Sequence, residues 1–383
     1  MKKKEEGQQS ERLHSLDVLR GFDMLWIIGG GSLIAALAKT LDWGWLHAVA
    51  GQMEHVSWVG FHFEDLIFPM FMFISGVAIP YAVTSKVEQG ADKKPLLYKI
   101  IKRGLLLVLL GVFSNGALRH EFTGISDIRI ASVLGQIGFG YLFAATIVLY
   151  TNTFKARLSW LVGIMVGIAI LQLAVPVPGI GAGVLNQEGV GMNAWIDQLF
   201  LPGRLYGEKY DPEGLLCIVS AITVTLMGSF AGSVLRDGEP ASQRKAVRIA
   251  IGGAVVVILA LVLSPVYPII KKAWTVPFNM LASGISALLL SLFYFCIDVK
   301  KWTNGIQSYV ILFFTVIGMN SITIYLGHSL IDFDQVAHNF LGILVPDSIG
   351  DKYGHELPIV FGSIVAEWLV LYFLYKKKVF LRV

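Results

Sequence analysis

Ionisable side chains meet the start of a long apolar run in the segment QMEHVSWVGFHFEDLIFPMFMFISG. Glu54, His55, His62, Glu64 and Asp65 all lie in its first half or at its middle. An imidazole beside carboxylates is the commonest device for moving protons near neutral pH. Ionisable groups at the mouth of a membrane span are costly to place there and tend to be functional. The segment therefore predicts acid–base chemistry at a membrane face.

The composition indicates the environment in which that chemistry takes place. The chain has 383 residues, of which 55% are hydrophobic and 15% charged, and its mean hydropathy is +0.65. A soluble domain carries about 25% charged residues, so we predict an all-α polytopic membrane protein with the lipid bilayer as a partner. The net charge of +4 requires no nucleic-acid partner, because membrane proteins concentrate Lys and Arg in cytoplasmic loops.

Windows of about 20 apolar residues predict a bundle of about ten transmembrane helices. No soluble domain is visible. We expect an N-terminal cytoplasmic tail, one transmembrane domain with an outer lid loop, and a C-terminal cytoplasmic tail, at 1–16, 17–375 (lid about 176–212) and 376–383. The windows lie at about 17–39, 64–84, 97–117, 131–150, 158–175, 213–235, 246–264, 277–297, 306–326 and 357–375.

The distribution of charge predicts the orientation. Most of the 31 Lys and Arg fall in segments that share a side with the N-terminus, which places both termini in the cytoplasm. All but one of the eight histidines then fall on or near the outer side. This placement predicts that proton chemistry takes place on that side.

The first span carries charged residues and a glycine run. Asp17, Arg20 and Asp23 are spaced three apart and share one helix face. Arg20 either forms an ion-pair clasp with these acids or meets an anionic ligand from the cytoplasm. The run from Gly29 through Gly30 to Gly31 lets a helix or a ligand approach the backbone closely.

Cations also stand at the inner mouth of the third span, in KKPLLYKIIKRG. Lys99, Lys102 and Arg103 are either ordinary positive-inside anchors or a rim that binds phosphate.

Further polar positions mark the outer ends of later spans. In YDPEG, Asp211 to Glu213 resemble a capped helix start with Pro212 at its first position; their carboxylates could equally hold a cationic or hydroxyl-rich substrate. Asn320 and His328 are eight apart, so we expect them on nearly one face. Glu367 is an acid deep in the last span and requires a partner.

The chain lacks the motifs of several other site classes. It contains no GxxxxGK[ST], HExxH, CxxC or GxSxG. His55 and His62 are seven apart and would need other ligands, so we predict no metal. Cys217 and Cys296 both lie in apolar runs, where packed thiols are expected rather than a disulfide.

Five segments in order resemble the heparan-α-glucosaminide N-acetyltransferase family of transmembrane acyltransferases, including its bacterial members. The resemblance covers the chain from about residue 12 onward. The segments are RLHSLDVLRGFDMLW, HVSWVGFHFEDLIFPMFMFISG, RIASVLGQIGFGYLF, YDPEGLLCIVSAITVTLMGSFAG and GMNSITIYLGHSL.

The resemblance implies that acetyl-CoA, bound from the cytoplasm, donates its acetyl group to the amine of a terminal glucosamine on the opposite side. The family's active-site histidine matches His55, and its aspartate matches Asp65. Where the lysosomal member has an asparagine before its glycine run, this chain has Ile27.

Further residues are predicted to bind the two substrates. Arg129, Asp211, Glu213, Asn320 and His328 are candidates for the amino sugar or glycan end. The candidates for acetyl-CoA are Arg20, Gly29, Gly30, Gly31, Lys102 and Arg103.

Two mechanisms fit these residues. His55, oriented by Asp65, acts as the general base that accepts the amine proton, or it carries the acetyl group itself. The other functions that fit are a proton-coupled sugar transporter and an O-acetyltransferase of a cell-envelope glycan. We expect a bacterial inner membrane, an active site open to the periplasmic side and a possible homodimer; the acceptor stays open.

Overall fold

The computed structural model describes residues 13–116, 128–237, 241–302, 304–341 and 356–381. Within these ranges the chain forms helices and two isolated β-bridges, with no extended strand, as the predicted all-α class requires. Eight helices in this part of the chain are long and apolar enough to cross a membrane. The number is nine if the bent pair of helices at Asn320 counts as one span.

The helices of the described part of the chain differ widely in length. In chain order they are α1 (His14–Leu25), α2 (Gly31–Leu41), α3 (Gly44–Gly51), α4 (Glu64–Ile79), α5 (Ser85–Glu88), α6 (Lys93–Gly116), α7 (Val133–Tyr150), α8 (Phe154–Leu173), α9 (Met192–Phe200), α10 (Leu215–Arg236), α11 (Gln243–Leu263), α12 (Val276–Tyr294), α13 (Ile306–Met319), α14 (Ser321–Leu330), α15 (Phe333–Leu341) and α16 (Glu356–Lys376).

Each of the ten predicted windows overlaps a helix or a pair of helices. The window at 97–117 corresponds to α6, which is not among the eight membrane-length apolar helices. The predicted lid at 176–212 contains the short helix α9. Residues 1–12 of the predicted N-terminal tail and 382–383 of the predicted C-terminal tail lie outside the described part of the chain.

Among the described residues, three π-helical turns lie within or at the ends of the long helices. The first, Trp26–Gly30, joins α1 to α2, and Gly29 in it has a φ of 126°. Only glycine adopts such a backbone readily, so the helix kinks here. The second, Pro80–Thr84, joins α4 to α5, and the third, Phe295–Val299, extends α12.

The centre of the bundle is formed by α4 and α10, whose residues are mostly buried, whereas α8, α11 and α16 lie at its periphery. Glycines let α4 and α10 pack with their backbones in contact. A Cβ on Gly228 would lie 2.1 Å from the carbonyl oxygen of Phe73, and one on Gly76 would lie 2.0 Å from that of Thr225. Gly21 and Gly318 bring α1 and α13 together in the same way.

We predict that Gly228→Ala destabilises the bundle, because the added methyl group would force α10 away from α4. Overpacking of this kind costs about 1–3 kcal/mol. Gly252 on α11 is the matched control, since a Cβ there meets no atom within 4 Å. Gly252→Ala should leave stability unchanged or raise it by up to about 1 kcal/mol. Thermal unfolding of the purified protein in detergent measures both, and equal melting temperatures for the two variants would contradict the packing described.

Candidate functional site

The predicted pair of His55 and Asp65 forms a hydrogen bond. His55 lies in the loop between α3 and α4, and Asp65 lies in the first turn of α4. The distance from His55 Nδ1 to Asp65 Oδ1 is 3.0 Å. The Asp65 side chain is only 1% exposed, whereas that of His55 is 54% exposed. The carboxylate is therefore fixed in the protein, and the imidazole is accessible from outside.

The loop that carries His55 is closed on itself by hydrogen bonds. The backbone N–H of Glu64 donates to the carbonyl of Gln52 at 3.0 Å. The second oxygen of Asp65 accepts from the backbone N–H of His62 at 3.0 Å, and the ring of His62 bonds the carbonyl of Glu54. His62 and Glu54 thus shape the loop.

Lys271 joins the pair from a distant part of the chain. Its Nζ lies 3.0 Å from His55 Nδ1 and 3.3 Å from Nε2, and 3.4 Å from Asp65 Oδ1. Burial lowers the pKa of the Lys271 ammonium, and the nearby charge of Asp65 opposes that shift. Lys271 was not among the residues predicted from the sequence. The signal for it was the pair of lysines in PIIKKAW, a segment that the predicted orientation places on the cation-poor side.

The segment between α11 and α12 holds Lys271 in place. The backbone N–H of Gly60 donates to the carbonyl of Ile269 at 2.9 Å, which joins this segment to the His55 loop. Trp274 takes a left-handed backbone with φ 46° and is buried against Phe68 and Phe278. Since Phe68 belongs to α4, the turn is anchored on the same helix that carries Asp65.

Buried amides tie the same segment to α8 and α9. Gln172 donates to the carbonyl of Ala273 at 2.9 Å, and Asn193 donates to it at 3.2 Å. Gln172 also bonds Asn193 and Tyr267. Helix α9 thus takes part in positioning the lysine.

A second cluster contains three of the predicted substrate residues. Arg129 donates to both oxygens of Asp211, at 2.8 and 2.6 Å, and also bonds Glu213. Asp211 accepts further bonds from the backbone N–H groups of Tyr206 and Glu213, each at 3.0 Å. One guanidinium therefore faces two carboxylates, and burial raises the pKa of Glu213 well above its usual range.

The expected capped helix start at Asp211 is wrong. Asp211–Pro212–Glu213 forms a turn, and α10 begins only at Leu215. The cap comes instead from Asp197 of α9, which accepts from the backbone N–H groups of Leu215 at 2.9 Å and Asp211 at 3.2 Å. Burial raises the pKa of Asp197 to about 6. The turn releases the side chains of Asp211 and Glu213 from capping, so that they can face Arg129.

The two clusters adjoin each other. The Cys217 thiol lies 3.8 Å from the carbonyl oxygen of Asp211 and 3.7 Å from that of Lys272. The charge of Glu213 acts on Lys271. Cys217 and Cys296 are both free thiols, as predicted.

The remaining two predicted substrate residues, Asn320 and His328, belong to the region of α14, which contacts α1. His328 Nδ1 bonds Glu367 Oε1 at 2.7 Å, which identifies the partner of the buried acid. Asn320 is the N-cap of α14, at a 70° bend between α13 and α14, and His328 lies near the end of α14. That the two side chains project from nearly one face stays a prediction. Asn320 lies at that break, 1% exposed, and its amide has no hydrogen-bond partner among the described residues.

The glycine run lies between these groups. A Cβ on Gly31 would meet Met53 of the His55 loop at 3.4 Å, and one on Gly29 would meet Ile364 of α16 at 3.2 Å. Trp26, at the same kink, packs edge-on against Phe63. The kink in α1 therefore contacts both the loop that carries His55 and the helix that carries Glu367.

The structure divides the residues predicted for acetyl-CoA into two groups. Arg20 and the glycine run belong to α1 and α2. Arg20 pairs with Asp17 at 3.4 Å, whereas both carboxylate oxygens of Asp23 are buried without a partner among the described residues. Lys102 and Arg103 instead line a cavity between α5, α6 and α7. α1 packs mainly on α13, and α6 packs mainly on α7.

The fold and the site together define a polytopic membrane protein with an accessible histidine held by a buried carboxylate and a lysine. Residues 12–182 match a family model described as a domain of unknown function, DUF5009. The chain is 26% identical over 98% of its length to heparan-alpha-glucosaminide N-acetyltransferase of Mus musculus, and 26% identical over 97% to that of Homo sapiens. The predicted resemblance is confirmed, and the chain is a distant relative of these proteins. It spans about 60% of their length.

We predict that Arg129→Gln strongly destabilises the protein. It would leave the carboxylates of Asp211 and Glu213 buried without a counter-ion, at a cost of about 3–5 kcal/mol. Arg248 provides the control, because its guanidinium lies as far as 3.9 Å from the carboxylate of Asp237 and both side chains are exposed. Arg248→Gln should change stability by less than about 1 kcal/mol. Thermal unfolding in detergent compares the two variants, and a tolerant Arg129→Gln would show that the cluster does not depend on this cation.

Proposed function

We propose that this protein is a transmembrane acetyltransferase. It transfers the acetyl group of cytoplasmic acetyl-CoA to the amine of a glucosamine-type sugar on the outer side of a bacterial inner membrane. The observation that carries the proposal is the hydrogen bond between the accessible His55 and the buried Asp65. The similarity to the two N-acetyltransferases supports the reaction class.

The geometry at His55 supports a role in proton or acyl transfer. When Nδ1–H donates to Asp65, the lone pair lies on Nε2, which can then accept a proton or attack a thioester. Lys271 places a positive charge beside the imidazole. That charge offsets the negative charge of the buried Asp65 carboxylate.

The reaction requires a base because a protonated amine is not a nucleophile. The amine nitrogen forms a bond to the acetyl carbon, the carbon–sulfur bond of the thioester breaks, and the CoA thiolate leaves and takes up a proton. His55 accepts the amine proton in direct transfer. In the alternative, Nε2 first takes the acetyl group and then passes it to the amine.

The acidic cluster beside the histidine fits an amino sugar. Asp211 and Glu213 lie next to the segment that carries Lys271. Two carboxylates face the single guanidinium of Arg129. A carboxylate whose pKa is raised by burial can accept a proton from an ammonium group or bond sugar hydroxyls. We propose that this cluster binds the acceptor.

Unpaired polar atoms along α1 support a route for the acetyl-CoA arm. Buried groups usually have hydrogen-bond partners, yet Asp23, Trp26, Asn320 and Thr323 each have a buried polar atom without one among the described residues. They occur on α1, its kink and α14, which pack together. Amides and carbonyls of a pantetheine arm would satisfy such atoms. The kink at Gly29 leads from this region to the His55 loop. That Lys102 and Arg103 hold CoA phosphates stays a prediction.

The orientation of the proposal rests on charge. Lys and Arg concentrate on the side of the N-terminus, which is the cytoplasmic side in most membrane proteins. The His55 loop precedes α4, and the cation-rich segment around Lys86 follows it. His55 is then on the outer side, across the membrane from the cytoplasmic acetyl-CoA pool.

We expect purified protein to convert glucosamine to N-acetylglucosamine with labelled acetyl-CoA, and His55→Ala to lower kcat by about 10²–10⁴-fold. His47→Ala is the matched control, because His47 is half exposed and pairs only with the exposed Asp42. Mass spectrometry of the product gives the rates. Full activity of His55→Ala would remove this residue from the mechanism.

Two further measurements use the same preparation. The protein is first incubated with labelled acetyl-CoA and no acceptor. Label on the wild-type protein that is absent from His55→Ala would assign His55 as the acyl carrier. Absence of label from both proteins would favour His55 as the base. Offering N-acetylglucosamine tests the acceptor atom, because its nitrogen is already acylated. Acetylation of that sugar would favour O-acetyl transfer.

We expect Lys271→Met to lower kcat/KM by about tenfold or more, because the charged group that contacts both His55 and Asp65 is lost. Lys271→Arg keeps the positive charge and should retain most of the activity. Initial rates with labelled acetyl-CoA measure kcat/KM, and the melting temperature in detergent shows whether each variant is folded. Wild-type kcat/KM in a folded Lys271→Met would show that the lysine takes no part in the reaction.

A further inference from the structure

A cavity with a cationic rim lies at the far end of α4 from His55. It has a volume of about 380 Å³ and lies between the turn after α4, helix α5, helix α6 and helix α7. Four cations line it: Lys86, Lys99, Lys102 and Arg103. Positive charges this close together repel one another, and a bound anion would offset that repulsion.

The cations have no carboxylate partner within the described residues. Glu88, on the same helix as Lys86, is already held by Arg236 through two bonds of 2.6 Å. The Nε of Arg103 is buried and has no hydrogen-bond partner there. A buried guanidinium N–H without an acceptor is uncommon, and it points to a ligand oxygen.

The position of Arg103 suits an anionic ligand with several oxygen atoms. Its guanidinium lies 4.3 Å from the centre of the Tyr141 ring, and Tyr141 is itself buried. Stacking of this kind holds the guanidinium in one orientation and leaves its N–H edge free. Arginine donors match the spacing of phosphate oxygens, and the three lysines add charge around them.

We propose that this cavity binds the phosphate headgroup of an anionic phospholipid. Basic pockets between helices at the cytoplasmic face are suited to such headgroups. From the cavity, Leu106, Leu109 and Phe113 continue along one face of α6 and are 38%, 66% and 53% exposed. A lipid with its phosphate on Arg103 would lay its acyl chains along this apolar face.

The same phosphate chemistry occurs in CoA, but the surroundings favour the lipid. The residues that line the cavity belong to the turn after α4 and to α5, α6 and α7. The glycine run near the His55 loop belongs to the α1–α2 kink, which packs on α4, α14 and α16. Lys99 and Lys102 of α6 line the cavity and are exposed, and the neighbouring Tyr98 is 68% exposed. An aromatic ring at this position is typical of a lipid headgroup boundary.

The test is lipid retention by the purified full-length protein, measured by native mass spectrometry with phosphatidylglycerol and, in parallel, zwitterionic phosphatidylcholine. Lys102→Gln/Arg103→Gln should lower bound phosphatidylglycerol by about tenfold or more and leave phosphatidylcholine unchanged. Lys376→Gln/Lys377→Gln removes the same charge at the end of α16 and should retain the lipid. Lys99→Gln, an exposed single change that folding tolerates, should lower retention by about threefold.

Three results would overturn the proposal. The first is that the cavity variants retain as much phosphatidylglycerol as the unmodified protein. The second is an equal loss of phosphatidylglycerol from the α16 control, which would indicate unspecific charge attraction. The third is binding of 3′-phosphoadenosine 5′-diphosphate that depends on Lys102 and Arg103 and displaces phosphatidylglycerol. That outcome would assign the phosphate site to CoA. If the double variant unfolds, as judged by its melting temperature, Lys99→Gln alone decides.

Discussion

The arrangement of the site depends on how the negative charge of one buried carboxylate is balanced. Asp65 is almost fully removed from solvent in the first turn of α4, and an ionised carboxylate is stable there only with hydrogen bonds and positive charge around it. The helix N-terminus contributes part of that field. His55, the backbone of His62 and Lys271 supply the rest. Since these groups come from two separate loops, the carboxylate fixes both loops relative to α4.

A close-packed helical frame gives that carboxylate a stable place. Glycines bring α4 against α10 and α1 against α13 with backbone atoms in contact, so neither helix can shift without steric overlap. Both helices end at the site: α1 through its kink at Gly29 and α4 through its first turn. The position of His55 therefore follows from helix packing several turns away, together with the loop that closes on Gln52.

Much of this structure could be predicted from the sequence, because the hydrophobic character of each segment by itself favours a membrane helix. Apolar windows gave every long helix, and carboxylates beside histidines marked the segment with His55 and Asp65. Three features escaped prediction. Lys271 reaches His55 across 216 positions of sequence, the acid cluster forms on a turn capped from α9, and the helix through Asn320 is broken. Each depends on contacts between elements that no local pattern encodes.

The sequence by itself determined that the chain is an all-helical membrane protein, since apolar runs of this length have to form hydrogen bonds within themselves. It also determined which residue types were available for proton chemistry. Only the tertiary structure decided which of them meet: it paired Glu367 with His328, placed Lys271 on the imidazole and separated Arg103 from Arg20. The physical reason is that charge compensation in a dry interior acts over a few ångströms, and packing alone sets those distances.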